Sequence, residues 1–200
     1  MGGTDTSSTL MEWAMTELLR HPKCLKRLQE EVRTICKDKS SVSEEEIQNM
    51  SYLKAVIKEA LRLHPPLPLM VPHESTQDVR LGDHHIPAGT QVLINAWAIG
   101  REAATWGPDV EEFRPERHLD SSVDYRGQAF ELIPFGSGRR ICPAISFAVV
   151  LNEVVLANLV HRFDWRLSVE STEDQTEVAE STGIAIHRMF PLYAIASNTT

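Results

Sequence analysis

Apolar residues recur every three to four positions over two stretches near the start of the chain. From Thr6 to Arg20, Leu10, Trp13, Ala14 and Leu18 share one stripe, which predicts a helix. His21-Pro22 ends it, because the residue before a proline avoids the helical region. Pro22 suits the first turn of a second helix, with Leu25, Leu28, Val32 and Ile35 facing inward. Ser43-Glu44-Glu45-Glu46 has the spacing of a capping box and predicts a short helix. Tyr52 to Leu63 repeats the helical pattern, with Leu53, Val56, Ile57, Ala60 and Leu61 apolar. It stops at His64-Pro65-Pro66, where a stiff, extended, proline-rich stretch to Pro72 takes over.

The period then changes. From Val79 to Ala96, short strands broken by Gly82-Asp83 and Pro87-Ala88-Gly89 predict a small antiparallel sheet. Residues 102–141 read mostly as loop, long enough to suggest a functional segment. Pro143 to His161 is a long apolar helix, followed by strand-like pieces at 165–168, 184–187 and 192–196. The expected fold is mainly α with a minor antiparallel β-sheet, in one unit over residues 1–200 without an internal repeat.

Composition narrows the function classes. In 200 residues, 42% apolar and 24% charged is an ordinary globular balance. A net charge of −8 without a basic cluster disfavours nucleic acid as a partner. Cys24, Cys36 and Cys142 have no paired spacing, which fits a reducing compartment and excludes a zinc site of four cysteines. The opening MGGTDTSSTL lacks the basic and apolar regions of a signal peptide. Residues 144–160 are apolar but carry Asn152 and Glu153 mid-run, so a buried helix is expected there and no membrane span.

The stretch PFGSGRRICP, residues 134–143, concentrates the chemistry. Cys142 precedes Pro143, so the positive end of the following helix is expected to point at the sulfur and favour a thiolate. Gly136 and Gly138 let the loop turn tightly against a flat ligand. Arg140 offers a fork for a carboxylate and Phe135 an apolar face. These features describe haem held by one cysteine. The same ten residues also fit a buried free cysteine beside a polar loop.

Phe135-x-x-Gly138-x-Arg140-x-Cys142 resembles the haem-binding signature of the cytochrome P450 monooxygenases, with Ala144 where the family has a glycine. The resemblance makes Cys142 the axial ligand of haem b (iron protoporphyrin IX). Glu59-Ala60-Leu61-Arg62 resembles the ExxR pair of that family; alone it reads as a solvated i,i+3 bridge. Phe113-x-Pro115-Glu116-Arg117 resembles the segment whose arginine joins the pair, with His118 where an aromatic is common. The resemblance thus implies a structural network of Glu59, Arg62 and Arg117 that locks the cysteine loop.

Gly2-Gly3-Thr4-Asp5-Thr6-Ser7 reads alone as a helix N-cap; beside the family it is similar to the oxygen-activating helix. That likeness makes Thr6 the hydroxyl that helps protonate bound dioxygen, with Asp5 feeding protons. It also puts Met1 inside that helix. His73 is similar to a basic position that reaches a haem propionate, or is an exposed lone histidine. Leu69, Met70, Val71, Gly183 and Ile184 fall where the family lines its substrate pocket, which implies an apolar or aromatic substrate.

These motifs come in family order, and EWAMTELLRHP, NAWAIGRE and PFGSGRRICP are most similar to plant A-type microsomal enzymes of family 71, subfamily A. The family's catalytic unit is more than twice this long, so the chain is expected to be its C-terminal portion, without the membrane anchor. Two functions stand open. One is a monooxygenase at the cytosolic face of the endoplasmic reticulum, fed electrons from NADPH by NADPH-cytochrome P450 reductase. The other is a truncated, catalytically inactive remnant with weak or no haem binding.

Overall fold

A computed structural model describes residues 2–37, 39–168 and 179–199. The expectation attached to Met1 lies outside the described residues. Four helices make the core: α1 (Asp5–Arg20), α2 (Pro22–Ile35), α4 (Ser51–Leu63) and α7 (Ile145–Arg162), each touching the other three. Shorter helices are α3 (Glu44–Ile47), α5 (Ala96–Ile99) and α6 (Ala103–Trp106). Leu18, Leu28, Val32, Leu53, Val56, Ile57 and Leu156 meet at the centre with no exposure above 0%. Burial of each such side chain contributes roughly 1.5–3 kcal/mol.

The middle helix, α4, buries Glu59 and Arg62 as well as its apolar residues. Its N-terminus has no capping side chain of its own. Glu31 from α2 caps it instead, accepting from the backbone N–H groups of Tyr52 at 2.8 Å and Leu53 at 2.9 Å. A carboxylate there satisfies orphan donors and meets the positive end of the helix dipole. The capping box of α3 is formed, with the Ser43 backbone N–H 2.7 Å from the Glu46 carboxylate.

The strands differ from the pattern-based expectation. The stretch near 79–96 is not one sheet. β1 (His73–Glu74) pairs with β4 (Gln91–Val92), and β2 (Val79–Leu81) with β3 (His84–Ile86), as separate antiparallel pairs. Strands of two and three residues are too short to extend a common ladder. A third pair joins β5 (Phe163–Leu167) to β6 (Ala194–Asn198), register Phe163↔Asn198 to Leu167↔Ala194. Residues 184–187 are not a strand; nearby there is a single bridge, Glu180↔Arg188.

α7 begins at Ile145, two residues later than expected. The backbone N–H of Cys142 donates to the Phe135 carbonyl at 3.0 Å. That bond keeps Cys142 in the loop, and Pro143 and Ala144 form a turn before the helix. The helix dipole therefore does not start at the residue after the cysteine. Among the described residues, α7 alone is long and apolar enough to cross a membrane. It is packed against α1, α2, α3 and α4, with Asn152 and Glu153 buried at mid-helix.

Candidate functional site

Glu59 sits at the centre of a buried ionic cluster. Its Oε1 accepts from Arg62 Nη2 at 2.8 Å, Arg117 Nε at 2.9 Å and the Arg114 backbone N–H at 2.9 Å. Its Oε2 accepts from Arg62 Nε and His118 Nε2, both at 2.8 Å. Arg62 also donates to the carbonyls of Gly100 at 2.6 Å, Val110 at 2.8 Å and Glu112 at 3.3 Å. Arg117 donates to those of Trp106 at 2.8 Å and Asp109 at 3.0 Å. Burial raises the Glu59 carboxyl, but the Arg62 and His118 hydrogen bonds outweigh it and hold the group at about 2. His118 is a member that the motif does not include. A lone histidine in an aromatic position gives no ionic signal in sequence.

From this cluster the chain runs to the cysteine loop along three props. Lys58 Nζ on α4 donates to the Val123 carbonyl at 2.9 Å. The rings of Tyr125 and Phe135 meet edge-on, with centroids 5.9 Å apart. Ser137 Oγ donates to the Gly127 carbonyl at 2.7 Å. A Cβ on Gly127, where φ is +74°, would stand 3.1 Å from the Gly136 carbonyl oxygen and 3.2 Å from Ser137 Cα, so the two backbone segments run close together.

The loop itself turns at Gly136 and Gly138, with φ of +77° and +72°, values that only glycine adopts without strain. Arg140 is exposed and Cys142 half-buried. Ala144 has φ −100°, so the alanine at this position is unstrained.

One apolar cavity of about 610 Å³ gathers the candidate residues. Thr6, Met70, Val71, His73, Phe135, Arg140, Cys142 and Ala144 all line it. His73 and Arg140 also line an adjoining cleft with Arg139, so the two basic groups stand at the same edge. Met70 has φ +58°, uncommon for a residue with a side chain. Thr6 Oγ1 donates to the Gly2 carbonyl at 3.0 Å.

Other candidates are not on this wall. Asp5, Leu69, Gly138, Gly183 and Ile184 do not line the cavity, and Ile184 is 72% exposed. Leu10, Ile94, Ile99, Phe130 and Phe147 line it without having been singled out. Leu10 and Phe147 stand one helical turn from Thr6 and near Ala144, a spacing that could have marked them.

The contents of the cavity wall test a flat, carboxylate-bearing cofactor directly. A single thiol, two basic groups at one edge and an otherwise apolar lining fit haem b. The family model for cytochrome P450 matches residues 1–188, and the chain belongs to the cytochrome P450 family. Members of that family bind haem b and act as haem-thiolate monooxygenases. Within it the chain is of the plant 71A type. It is 80% identical to Cytochrome P450 71A22 of Arabidopsis thaliana over 200 residues, 100% of this chain and 41% of that protein. It is 78% identical to Cytochrome P450 71A25 of the same plant over 197 residues, 98% of this chain and 40% of the relative. With Cytochrome P450 71A14 the identity is 59% over 198 residues, 98% of this chain and 40% of the relative. The chain thus spans about two-fifths of the length of these relatives.

Proposed function

We propose that residues 1–200, as the C-terminal portion of a single cytochrome P450 domain, carry the thiolate side of a monooxygenase site. The reaction would insert one oxygen atom from dioxygen into an apolar or aromatic small molecule. Electrons would come from NADPH through NADPH-cytochrome P450 reductase, at the cytosolic face of the endoplasmic reticulum. The observation that carries this reading is that Cys142, Arg140, His73 and Thr6 line one apolar cavity.

Haem, when bound, supplies the one-electron and dioxygen chemistry that side chains lack. Cys142 would hold its iron through the sulfur. Arg140 and His73 would pair with its carboxylates, and Phe135 would cover part of its face. Thr6 holds a proton at Oγ1, oriented by the Gly2 carbonyl, and Asp5, the residue before it on α1, would replenish it. Met70 and Val71 on the apolar wall would face the substrate. Glu59, Arg62 and Arg117 would hold the loop that presents Cys142.

The second reading is a catalytically inactive chain with weak or no haem binding. Phe130 and Phe147, both on the cavity wall, are 70% and 65% exposed, which favours it. One experiment separates the two. The chain is reconstituted with haem, reduced under carbon monoxide and its difference spectrum recorded. A strongly red-shifted Soret band, lost in Cys142→Ser, is the expected result for the thiolate site. A band at the position of free or histidine-ligated haem, or a shifted band that survives Cys142→Ser, overturns it.

A further inference from the structure

Glu17, on α1, is a second buried carboxylate that gathers several partners. The residue is 3% exposed, and its Oε1 accepts from His64 Nε2 at 2.9 Å. His21 Nδ1 stands 3.3 Å from its Oε2, and Arg20 Nη1 donates to the two oxygens at 3.3 and 3.4 Å. Burial raises the carboxyl, but the hydrogen bonds from His21 and His64 outweigh it and hold the group at about 2. His64 is therefore bonded to a carboxylate ion.

His64 is gripped on its face as well as its edge. Trp13 stacks on the ring, with centroids 4.0 Å apart and planes within 3° of parallel. Trp13 and Glu17 are four residues apart and share one side of α1, and Leu10, three residues earlier on that side, lines the cavity. His64 also ends α4, where its backbone N–H donates to the Ala60 carbonyl at 2.8 Å. Two charges of the 180–188 segment face the pair: Glu180 Oε1 lies 3.8 Å from His64 Nδ1, and the Arg188 guanidinium 5.5 Å from the Trp13 ring centre.

Two residues past His64 another wall of the cavity begins, with Pro66, Leu67, Met70, Val71 and His73. Pro65, Pro66 and Pro68 fix φ over this stretch, so the direction in which the chain leaves His64 is carried forward along it. Three main-chain bonds hold the stretch further on. The Pro66 carbonyl accepts from Ile186 N–H at 3.0 Å, that of Leu67 from Met70 N–H at 3.1 Å, and that of Pro68 from Trp97 N–H at 3.1 Å. At the root of the stretch, the bond from His64 to Glu17 is made by side chains, joining α4 to α1.

We infer that Glu17 is a positioning residue: by holding His64 it sets the direction in which the proline-rich stretch leaves α4, and so places His73 at the cavity edge. The part that concerns His73 rests on the proposed function of the cavity.

The test uses Glu17→Leu, His64→Leu and His64→Gln in the whole chain. Residue-resolved hydrogen exchange follows the amides of Met70, Trp97 and Ile186, which all bond to the stretch. Both leucine variants are expected to speed them about tenfold, the factor of a hydrogen bond to a charged group. His64→Gln puts an amide nitrogen where the ring Nε2 stood and is expected to stay near the parent rate. Unaltered rates in both leucine variants, or an equal rise in the amides of α2, overturn the positioning role.

On the haem-loaded protein, the affinity ratio of haem to its dimethyl ester reads whether a basic group meets the carboxylates. The ratio is expected to fall in both leucine variants about as far as in His73→Leu, and to be restored in His64→Gln. A ratio that His73→Leu lowers and both leucine variants leave alone overturns the placement of His73. A ratio that His73→Leu does not lower overturns its part as well. A chain that takes up no haem overturns the cavity's proposed function, and the placement of His73 with it, while the exchange rates still decide whether Glu17 holds the stretch.

Discussion

His118 Nε2 lies 2.8 Å from Glu59 Oε2, and neither side chain has any exposed surface. Burial pushes the imidazole down from its usual 6.5, more than the Glu59 hydrogen bond and charge raise it. The ring is therefore neutral, donating from Nε2, while its buried Nδ1 has no hydrogen-bond partner among the described residues. Two groups of one cluster are thus shifted in the same direction.

Acid should weaken the fold in two stages. Below about pH 6.5 the unfolded chain protonates His118 before the folded chain does, so stability falls with pH. Glu59 stays ionised in the fold down to about 2, against 4.5 ordinarily, so its contribution is present above 4.5 and lost as pH falls through 2. His118→Phe is expected to remove the first stage and keep the second. Urea midpoints measured against pH for parent and variant check this; an equal slope just below pH 6.5 in both would count against it.

Glu153 behaves in the opposite sense. Burial inside α7 raises its carboxyl to about 7, against the pull of Lys54 and Arg126. The fold keeps this proton where the unfolded chain releases it, so its contribution is full below 4.5 and lost as pH rises through 7. Glu153→Gln keeps the shape without the charge. It is expected to stabilise by up to about 3 kcal/mol near pH 8 and by little near pH 4.5. Equal effects at the two pH values would refute the assignment.

Gly100 tolerates no side chain. A Cβ there would stand 2.4 Å from the Arg62 carbonyl oxygen, while its own carbonyl accepts from Arg62 Nη1 at 2.6 Å. Both neighbours are fixed, so Gly100→Ala is expected to cost about 1–3 kcal/mol. Gly3→Ala, which meets nothing within 4 Å, is the control and should be near neutral. Thermal unfolding of the two variants compares them.

The helices were legible in the sequence because Leu10, Trp13 and Leu18, or Leu53, Ile57 and Leu61, repeat at the period of one buried face. The cysteine loop drew notice through its own glycines and arginines, whereas the Glu59–Arg62–Arg117 network was legible only through the family resemblance, since an i,i+3 pair alone reads as a solvated bridge. His118 was not, since nothing local distinguishes a histidine that bonds a distant carboxylate from one that fills space. The separation of β1–β4 from β2–β3 was hidden as well, because runs of two or three residues carry almost no periodic signal. The late start of α7 depends on the bond from Cys142 to Phe135, a contact that no helix-start rule contains.

The partners of Glu59 and Arg62 beyond α4 lie 38 to 59 positions further along the chain. Closing loops of that length is slow compared with docking neighbouring helices such as α1 and α2. The cluster is therefore expected to complete late, after the rate-limiting step of folding. Its weight falls on the unfolding rate: Arg62→Leu should shorten the lifetime of the native chain while leaving the speed of its formation almost unchanged, which the two limbs of a urea chevron read separately. On that expectation the buried charges are a latch, closed after the helices have assembled.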